Sequence, residues 1–261
     1  MPKDKNPSWL YFQVLFAAAV WGGAYPFTKY LGTELSVLSI VTFRTLVGSL
    51  ALIFLSGSAL RAADLKWPNL WRLLALSVLG VSSQQYLQAY ALKFTLSSHA
   101  GWLIASTPIM VAGLMAALGE RIGPFKAAAF LLGFAGTILV VLSKAGAGAL
   151  TLPSTKGDLV FLVTAASWAV YVILTKKWLT SWRQAKVTTL TMLAALATLL
   201  PPWFAAGGPA EFAALTPRAW ASLAYLSVLS SALAYLFWNN AVEGLGPVKT
   251  SYFIYLEPFA T

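Results

Sequence analysis

The chain has 261 residues, of which 10% are charged and 59% hydrophobic, whereas soluble domains are roughly 25% charged. That balance excludes a soluble globular core, and the alternation of a membrane β-barrel is missing. The net charge is +10 and cysteine is absent, which excludes disulfides and thiolate metal sites.

In chain order, apolar runs fall near 9–30, 36–56, 70–93, 98–118, 124–143, 157–176, 186–205, 218–240 and 247–261. Most approach the roughly 20 residues that cross a bilayer. In hydrocarbon each must satisfy its own backbone groups, so each is expected to be a helix. The expected fold class is an all-α polytopic membrane protein. The first run, with Lys3 and Lys5 before it and Ala17-x-Ala19 within it, has features of a signal peptide. It also shares a repeat unit with a later helix, as shown next, so it is read as a retained span.

With the N-terminus placed in the cytoplasm, the cytoplasmic segments carry Lys3, Lys5, Arg61, Lys66, Arg72, Arg121, Lys126, Lys176, Lys177, Arg183, Lys186 and Lys249. The opposite side carries Lys29, Lys93, Lys144, Lys156 and Arg218, and Arg44 lies inside a span. This is a positive-inside bias. The basic charge therefore sets topology, and a nucleic-acid partner is not expected. The lipid bilayer and a small-molecule substrate are, in the inner (plasma) membrane of the cell.

Two stretches match without a gap. Leu76-Ser77-Val78-Leu79 recurs as Leu226-Ser227-Val228-Leu229, Ala91 as Ala241 and Pro108 as Pro258, each 150 residues apart. Upstream, Ala18-Ala19-x-Trp21 recurs as Ala165-Ala166-x-Trp168 and Thr28-Lys29 as Thr175-Lys176, 147 apart. The chain is read as two copies of one membrane unit, residues 1–145 and 146–261. The segment Ser143–Asp158, rich in small and turn residues, joins them. Five spans per unit is odd, so the second copy is expected to be inverted, with a pseudo-two-fold axis in the membrane plane. That arrangement suits a transporter with its site at the repeat interface. Ten helices are expected, the ninth incomplete and the tenth absent from this chain.

Trp21-Gly-Gly-x-Tyr-Pro-Phe-Thr-Lys29 resembles the start of an EamA-type unit. Thr107-Pro108, Leu118-Gly119-Glu120-Arg121, Gly133-Phe134-Ala135-Gly136 and Leu256-Glu257-Pro258 fit the same pattern. In order and repetition these are similar to the drug/metabolite transporter superfamily over nearly the whole chain. The resemblance implies ten helices and export of metabolites. The aromatic and glutamine content resembles bacterial amino-acid exporters, including those for aromatic amino acids.

Several residues are candidates for the site. Gln84, Gln85 and Gln88 lie mid-span, and Gln84 and Gln88 share a helix face, as do Tyr86 and Tyr90. Buried amides cost energy unless paired or solvated. Interhelical hydrogen bonding at about 0.5–2 kcal/mol each is one reading. Three amides in five positions favour the other, a cavity lining. The 150-residue offset sets Tyr235, Trp238, Asn239 and Asn240 at the same depth in the second copy. Amides can match both ends of a zwitterion, and tyrosine and tryptophan rings suit an apolar or aromatic side chain.

His99, Trp102 and Ser106 share a face of the fourth span, and Tyr252 corresponds to Trp102. These aromatics either flank the substrate or belong to an interfacial belt. His99, the sole histidine, is either a proton carrier or a solvated residue at a helix start. Trp21 and Trp168 are repeat equivalents near mid-span, either packed between helices or lining the cavity. Pro26 beside Gly22 and Gly23, and the equivalent pair Pro108 and Pro258, are gating candidates because proline removes a backbone hydrogen bond. Glu257, inside the ninth span, either couples protons to transport or holds backbone freed by Pro258. Arg44 either pairs with Glu34 or neutralises a substrate carboxylate.

The functional expectation is a secondary transporter exporting small amphipathic metabolites, most of all amino acids including aromatic ones, by alternating access. The alternative is a drug or other metabolite carrier of the same superfamily. Small multidrug antiporters of that superfamily rely on a glutamate in the first span, and this span has none. One histidine, no cysteine and two deeply placed charges argue against an enzyme. No cofactor or metal is expected.

Overall fold

The computed structural model of the chain describes residues 6–56, 66–67, 69–145, 156–179 and 182–261. Lys3, Lys5, Arg61 and most of the segment 143–158, expected to join two repeats, lie outside the described residues. The described residues form helices and no strands. Nine helical segments follow the nine apolar runs. They are α1 (Pro7–Leu31), α2 (Val37–Ser56), α3 (69–91), α4 (Ser97–Ala117) and α5 (Pro124–Ala145). After the linker come α6 (Lys156–Trp178), α7 (Gln184–Ala205), α8 (Pro217–Leu245) and α9 (247–260). Six of them, α1, α2, α4, α6, α7 and α8, are long and apolar enough to cross a membrane. Phe54, Phe125, Leu131 and Leu132 stand exposed on the outside, as hydrocarbon-facing side chains do. The chain is an all-α polytopic membrane protein.

Local sequence explains the ends and breaks. Asn6 caps α1 by accepting from the Ser8 backbone N–H at 3.0 Å, and Pro7 fills the first helical position. Glu211 accepts from the backbone N–H of Ser36 at 2.7 Å, just ahead of α2, tying that start to the 3₁₀ turn Gly208–Ala214. Gly246 turns α8 into α9 at a φ of 85°, a backbone conformation that suits glycine.

The helices break in matched places. α3 contains a π turn at Val78–Ser82, and α8 contains a longer one at Tyr225–Ala234. The 150-residue offset carries the first into the second. A π turn loosens the carbonyl ladder, and serine hydroxyls occupy it: Ser83 donates to the Val78 carbonyl at 2.5 Å and Ser82 to that of Ser77 at 3.3 Å. α4 is interrupted at 105–106, just before Pro108, and α9 tightens to a 3₁₀ turn over Tyr252–Leu256, just before Pro258. Each proline lacks the N–H that would bond four residues back.

The packing repeats as well. α1 lies against α8, and α6 against α3. α1 meets α9, and α6 meets α4. α2 meets α8, and α7 meets α3; α2 and α7 pack on each other. Even two terminal lysines match. Lys29 donates to the Thr95 carbonyl at 2.8 Å, and Lys176 donates to the Glu243 carbonyl at 2.7 Å.

At the centre, rings from α1, α6 and α8 interlock. Trp21 and Trp168 meet edge to face at 5.2 Å, Trp21 lies 5.3 Å from Tyr235 and 5.1 Å from Trp238, and Trp168 lies 4.8 Å from Tyr171. Edge-to-face pairs suit the quadrupole of the rings.

Candidate functional site

A cavity opens on one side of this aromatic cluster, with about 550 Å³ of empty space counting its mouth. Helix α1 contributes Trp21, Tyr25 and Thr28, and α3 contributes Gln84, Gln85 and Gln88. Trp168 of α6 and Tyr235 of α8 form part of the wall, beside apolar Leu92, Ile104 and Ile254. Two buried charges, Arg44 of α2 and Glu257 of α9, are both in the lining.

The π turns hold the wall. Trp21 Nε1 donates to the Ser230 carbonyl at 3.0 Å, and the Tyr235 hydroxyl donates to the Gly80 carbonyl at 2.8 Å. Gly80 and Ser230 are 150 residues apart, so the two halves are latched at corresponding carbonyls, each by a ring from the opposite half. Gln85 Nε2 donates to the Tyr235 hydroxyl at 3.1 Å. The other two amides of α3 differ. Among the described residues, no protein group hydrogen-bonds the side chains of Gln84 or Gln88.

Arg44 is 6% exposed, and its Nε and Nη2 donate to the hydroxyls of Ser231 and Ser230, each at 2.9 Å. Glu257 is 3% exposed, and its Oε2 accepts from the Tyr25 hydroxyl at 2.8 Å. Neither charge has an ion-pair partner among the described residues. Glu34, considered above as a partner for Arg44, instead accepts from Tyr30 and from Thr216, the latter at 2.8 Å, at the surface. Those hydrogen bonds, Tyr30 first, hold its carboxyl below the usual glutamate range.

The remaining candidates lie outside the cavity. Asn239 is buried in a seam, donating to Tyr171 at 3.1 Å and Thr188 at 2.9 Å. Trp238 is fully buried behind Trp21 and Trp168. Tyr90 packs on Phe94 at 5.1 Å, and Tyr252 on Phe130 at 4.6 Å. Trp102 packs against the core near His99, with ring centroids 6.5 Å apart. His99 starts a helix but is buried rather than solvated, with Nδ1 3.8 Å from Asp158 Oδ1. Asp158 also accepts from the Thr95 hydroxyl at 2.5 Å. Of the gating candidates, Pro108 and Pro258 mark the breaks in α4 and α9. Pro26 lies inside α1, and Gly22, four residues before it, lets α1 and α9 touch at the backbone: a Cβ there would come within 2.3 Å of the Glu257 carbonyl oxygen. Glu257 bonds a side chain rather than backbone freed by Pro258.

Of the two roles weighed for Arg44, pairing with Glu34 is not seen, and its guanidinium lines the cavity. Its signal was present: an arginine eight residues into an apolar span is costly unless it has a task. Among the described residues, no three His, Asp or Glu side chains converge as metal ligands would.

A family model described as "EamA-like transporter family" matches residues 8–142 and 155–261. An uncharacterized transporter of Archaeoglobus fulgidus is 32% identical over 93% of this chain and 83% of its own length. An uncharacterized transporter of Bacillus subtilis is 23% identical over 97% of this chain and 83% of its own. A probable terminal-alkyne amino-acid exporter of Streptantibioticus cattleyicolor is 28% identical over 94% of this chain and 80% of its own. One solved crystal structure has the same fold, with a TM-score of 0.73 at 20% identity, covering 98% of this chain and 86% of that chain.

Proposed function

The chain belongs to the EamA-like transporter family, and from that premise we propose that it exports amino acids, aromatic ones among them, as a secondary transporter. The observation that carries this reading is the cavity where the rings of Trp21 and Trp168 meet the unpartnered amides of Gln84 and Gln88. Rings take an apolar or aromatic side chain, and amides take either end of a zwitterion. The Streptantibioticus relative, a probable terminal-alkyne amino-acid exporter, supports the amino-acid part of this reading.

The mechanism follows from the repeats. Residues 1–145 and 146–261 are two inverted copies about an axis in the membrane plane. Paired helix contacts and paired π turns support this. When the two copies exchange conformations, the cavity closes on one side and opens on the other. The bias of basic residues supports a cytoplasmic N-terminus, and the membrane is read as the inner (plasma) membrane. The family and its relatives are transporters, which supports reading the cavity as a site that binds and releases its substrate.

The test is flux in proteoliposomes holding the purified protein. Liposomes loaded with unlabelled phenylalanine should accumulate labelled phenylalanine by exchange, and protein-free liposomes should not. No exchange of any amino acid, with transport of lipophilic cations instead, would overturn the reading in favour of a drug carrier.

A further inference from the structure

We propose that Arg44 and Glu257 are the two poles of a zwitterion site, Arg44 receiving the substrate's carboxylate and Glu257 its ammonium group. The proposal rests on the transport reading above and narrows it. It requires that a substrate carry both charges, so that neither a plain amine nor a plain carboxylic acid is handled well.

The argument starts from the cost of buried charge. A charged group out of water is expensive unless an opposite charge or several hydrogen bonds compensate it. Arg44 is nearly buried, yet its described partners are two neutral serine hydroxyls. Those hydroxyls occupy Nε and Nη2, one edge of the guanidinium. The end of the fork, formed by Nη1 and the second hydrogen of Nη2, has no protein partner among the described residues. That edge makes a parallel, two-point contact with a carboxylate. A lysine in this place would offer a point charge without the fork. The serines that hold the other edge sit on the π turn of α8, where the extra residue per turn brings Ser230 and Ser231 toward α2. Gly48 of α2 permits that approach: a Cβ there would lie 3.0 Å from Ser231 Cβ.

Glu257 shows the complementary pattern. Tyr25 occupies Oε2, and Oε1 has no described partner. Arg44 and Glu257 sit on different helices, α2 and α9, and both line the same cavity. They are not an ion pair with each other. If they served only structure, the cheaper arrangement would be to pair them directly. Held apart by Tyr25 and the serines, they leave a gap between opposite charges. A zwitterion fills such a gap with its two ends, and its side chain then falls to the rings of Trp21 and Trp168. Gln84 and Gln88 add neutral hydrogen bonds without shifting the charge balance.

Three probes with one side chain separate the poles: phenylalanine, phenethylamine, which lacks the carboxylate, and 3-phenylpropionate, which lacks the ammonium. Binding of each to the purified full chain is read by competition against labelled phenylalanine. The wild type should bind phenylalanine roughly ten- to a hundredfold more tightly than either analogue, as expected for losing a hydrogen-bonded charge. This arm needs no mutant. Arg44→Gln should cost phenylalanine and 3-phenylpropionate a similar factor and leave phenethylamine unchanged. Glu257→Gln should weaken phenylalanine and phenethylamine and leave 3-phenylpropionate unchanged. Arg44→Lys keeps the charge and guards against misfolding of the glutamine variant. It should weaken phenylalanine in the same direction by a smaller factor. Equal binding of all three probes by wild type, or equal losses across them in the variants, overturns the charge poles while phenylalanine exchange leaves the transport reading intact. Absence of phenylalanine exchange and binding in the wild type overturns both.

Discussion

Gly80 and Ser230 occupy corresponding points of the two π turns, and they face opposite surroundings. The carbonyl of each accepts a ring donor from the other half, Tyr235 on Gly80 and Trp21 on Ser230. There the likeness ends. At Gly80 the space a side chain would take is filled by Tyr171: a Cβ would come within 2.2 Å of that ring. At Ser230 the side chain is present, and its hydroxyl receives Arg44. The same contrast extends outward. Gln88 faces the cavity while its counterpart Trp238 is packed solid, and Glu257 lines the cavity while its counterpart Thr107 is buried in the core. Corresponding backbone positions therefore carry packed rings in one copy and a charged cavity lining in the other. Side-chain volume and charge differ at these positions, and the π turn of α8 is also the longer of the two.

The largest effect should come from putting a side chain where Tyr171 sits. Gly80→Ala forces a methyl into a ring that is itself fully buried. Overpacking of that kind costs about 1–3 kcal/mol, so the melting temperature of the purified protein in detergent should fall clearly. Ser230→Ala removes one hydrogen bond to Arg44 and should cost less. The double change Gly80→Ala with Tyr171→Leu should recover part of the loss if the ring is the obstacle. Equal melting temperatures for Gly80→Ala and Ser230→Ala would break the comparison.

That contrast also marks how far the sequence alone reached. The nine apolar runs, the 150-residue offset and the breaks beside Pro108 and Pro258 were legible, because hydrocarbon demands long apolar helices and proline interrupts them wherever it falls. Gln84 and Gln88 were legible as lining because unpaired amides at that depth need a cavity. The seam around Asn239 was not. An asparagine reads the same whether a substrate or Tyr171 and Thr188 satisfy it, and only packing decides. His99 illustrates the same limit: Asp158, its buried neighbour, lies 59 positions away in the other half. The π turns left no trace in composition, since valine, serine and glycine also occur in regular membrane helices.

A middle-sized effect compares the two latches. Tyr235→Phe removes a hydroxyl that donates to the Gly80 carbonyl and accepts from Gln85. Both partners lie buried, and Gln85 Oε1 is already without a partner. The loss should be about 1–3 kcal/mol, the cost of stranding buried polar groups. Trp21→Phe removes a single N–H from a partly buried ring beside the cavity, where water can replace it. That hydrogen bond should be worth about 0.5–1.5 kcal/mol. Thermal unfolding of the two variants side by side tests the order. A larger loss for Trp21→Phe that persists after allowing for its smaller ring would make the Trp21–Ser230 contact the tighter latch.

The smallest effect lies where the asymmetry reaches the surface. Glu34, in the turn between α1 and α2, accepts from Tyr30 and from Thr216, whose hydroxyl also caps α8 through the backbone N–H of Ala219 at 3.2 Å. The 150-residue offset sets Lys66 where Thr216 stands, so the sequence puts a cation where this clasp uses a hydroxyl. Because the hydrogen bonds hold the folded carboxyl below its usual range, the clasp stabilises at pH values above the ordinary glutamate pKa of about 4.3. Its contribution should fade as pH falls from there through the lowered folded value, when the proton enters and the anion is lost. Exposure and salt keep the effect small. Melting curves of wild type and Glu34→Gln should therefore differ slightly at pH 7 and converge as the pH falls through the lowered folded value. A gap that widens toward acid would mean that the carboxylate opposes the fold, and that Tyr30 and Thr216 hold the loop without it.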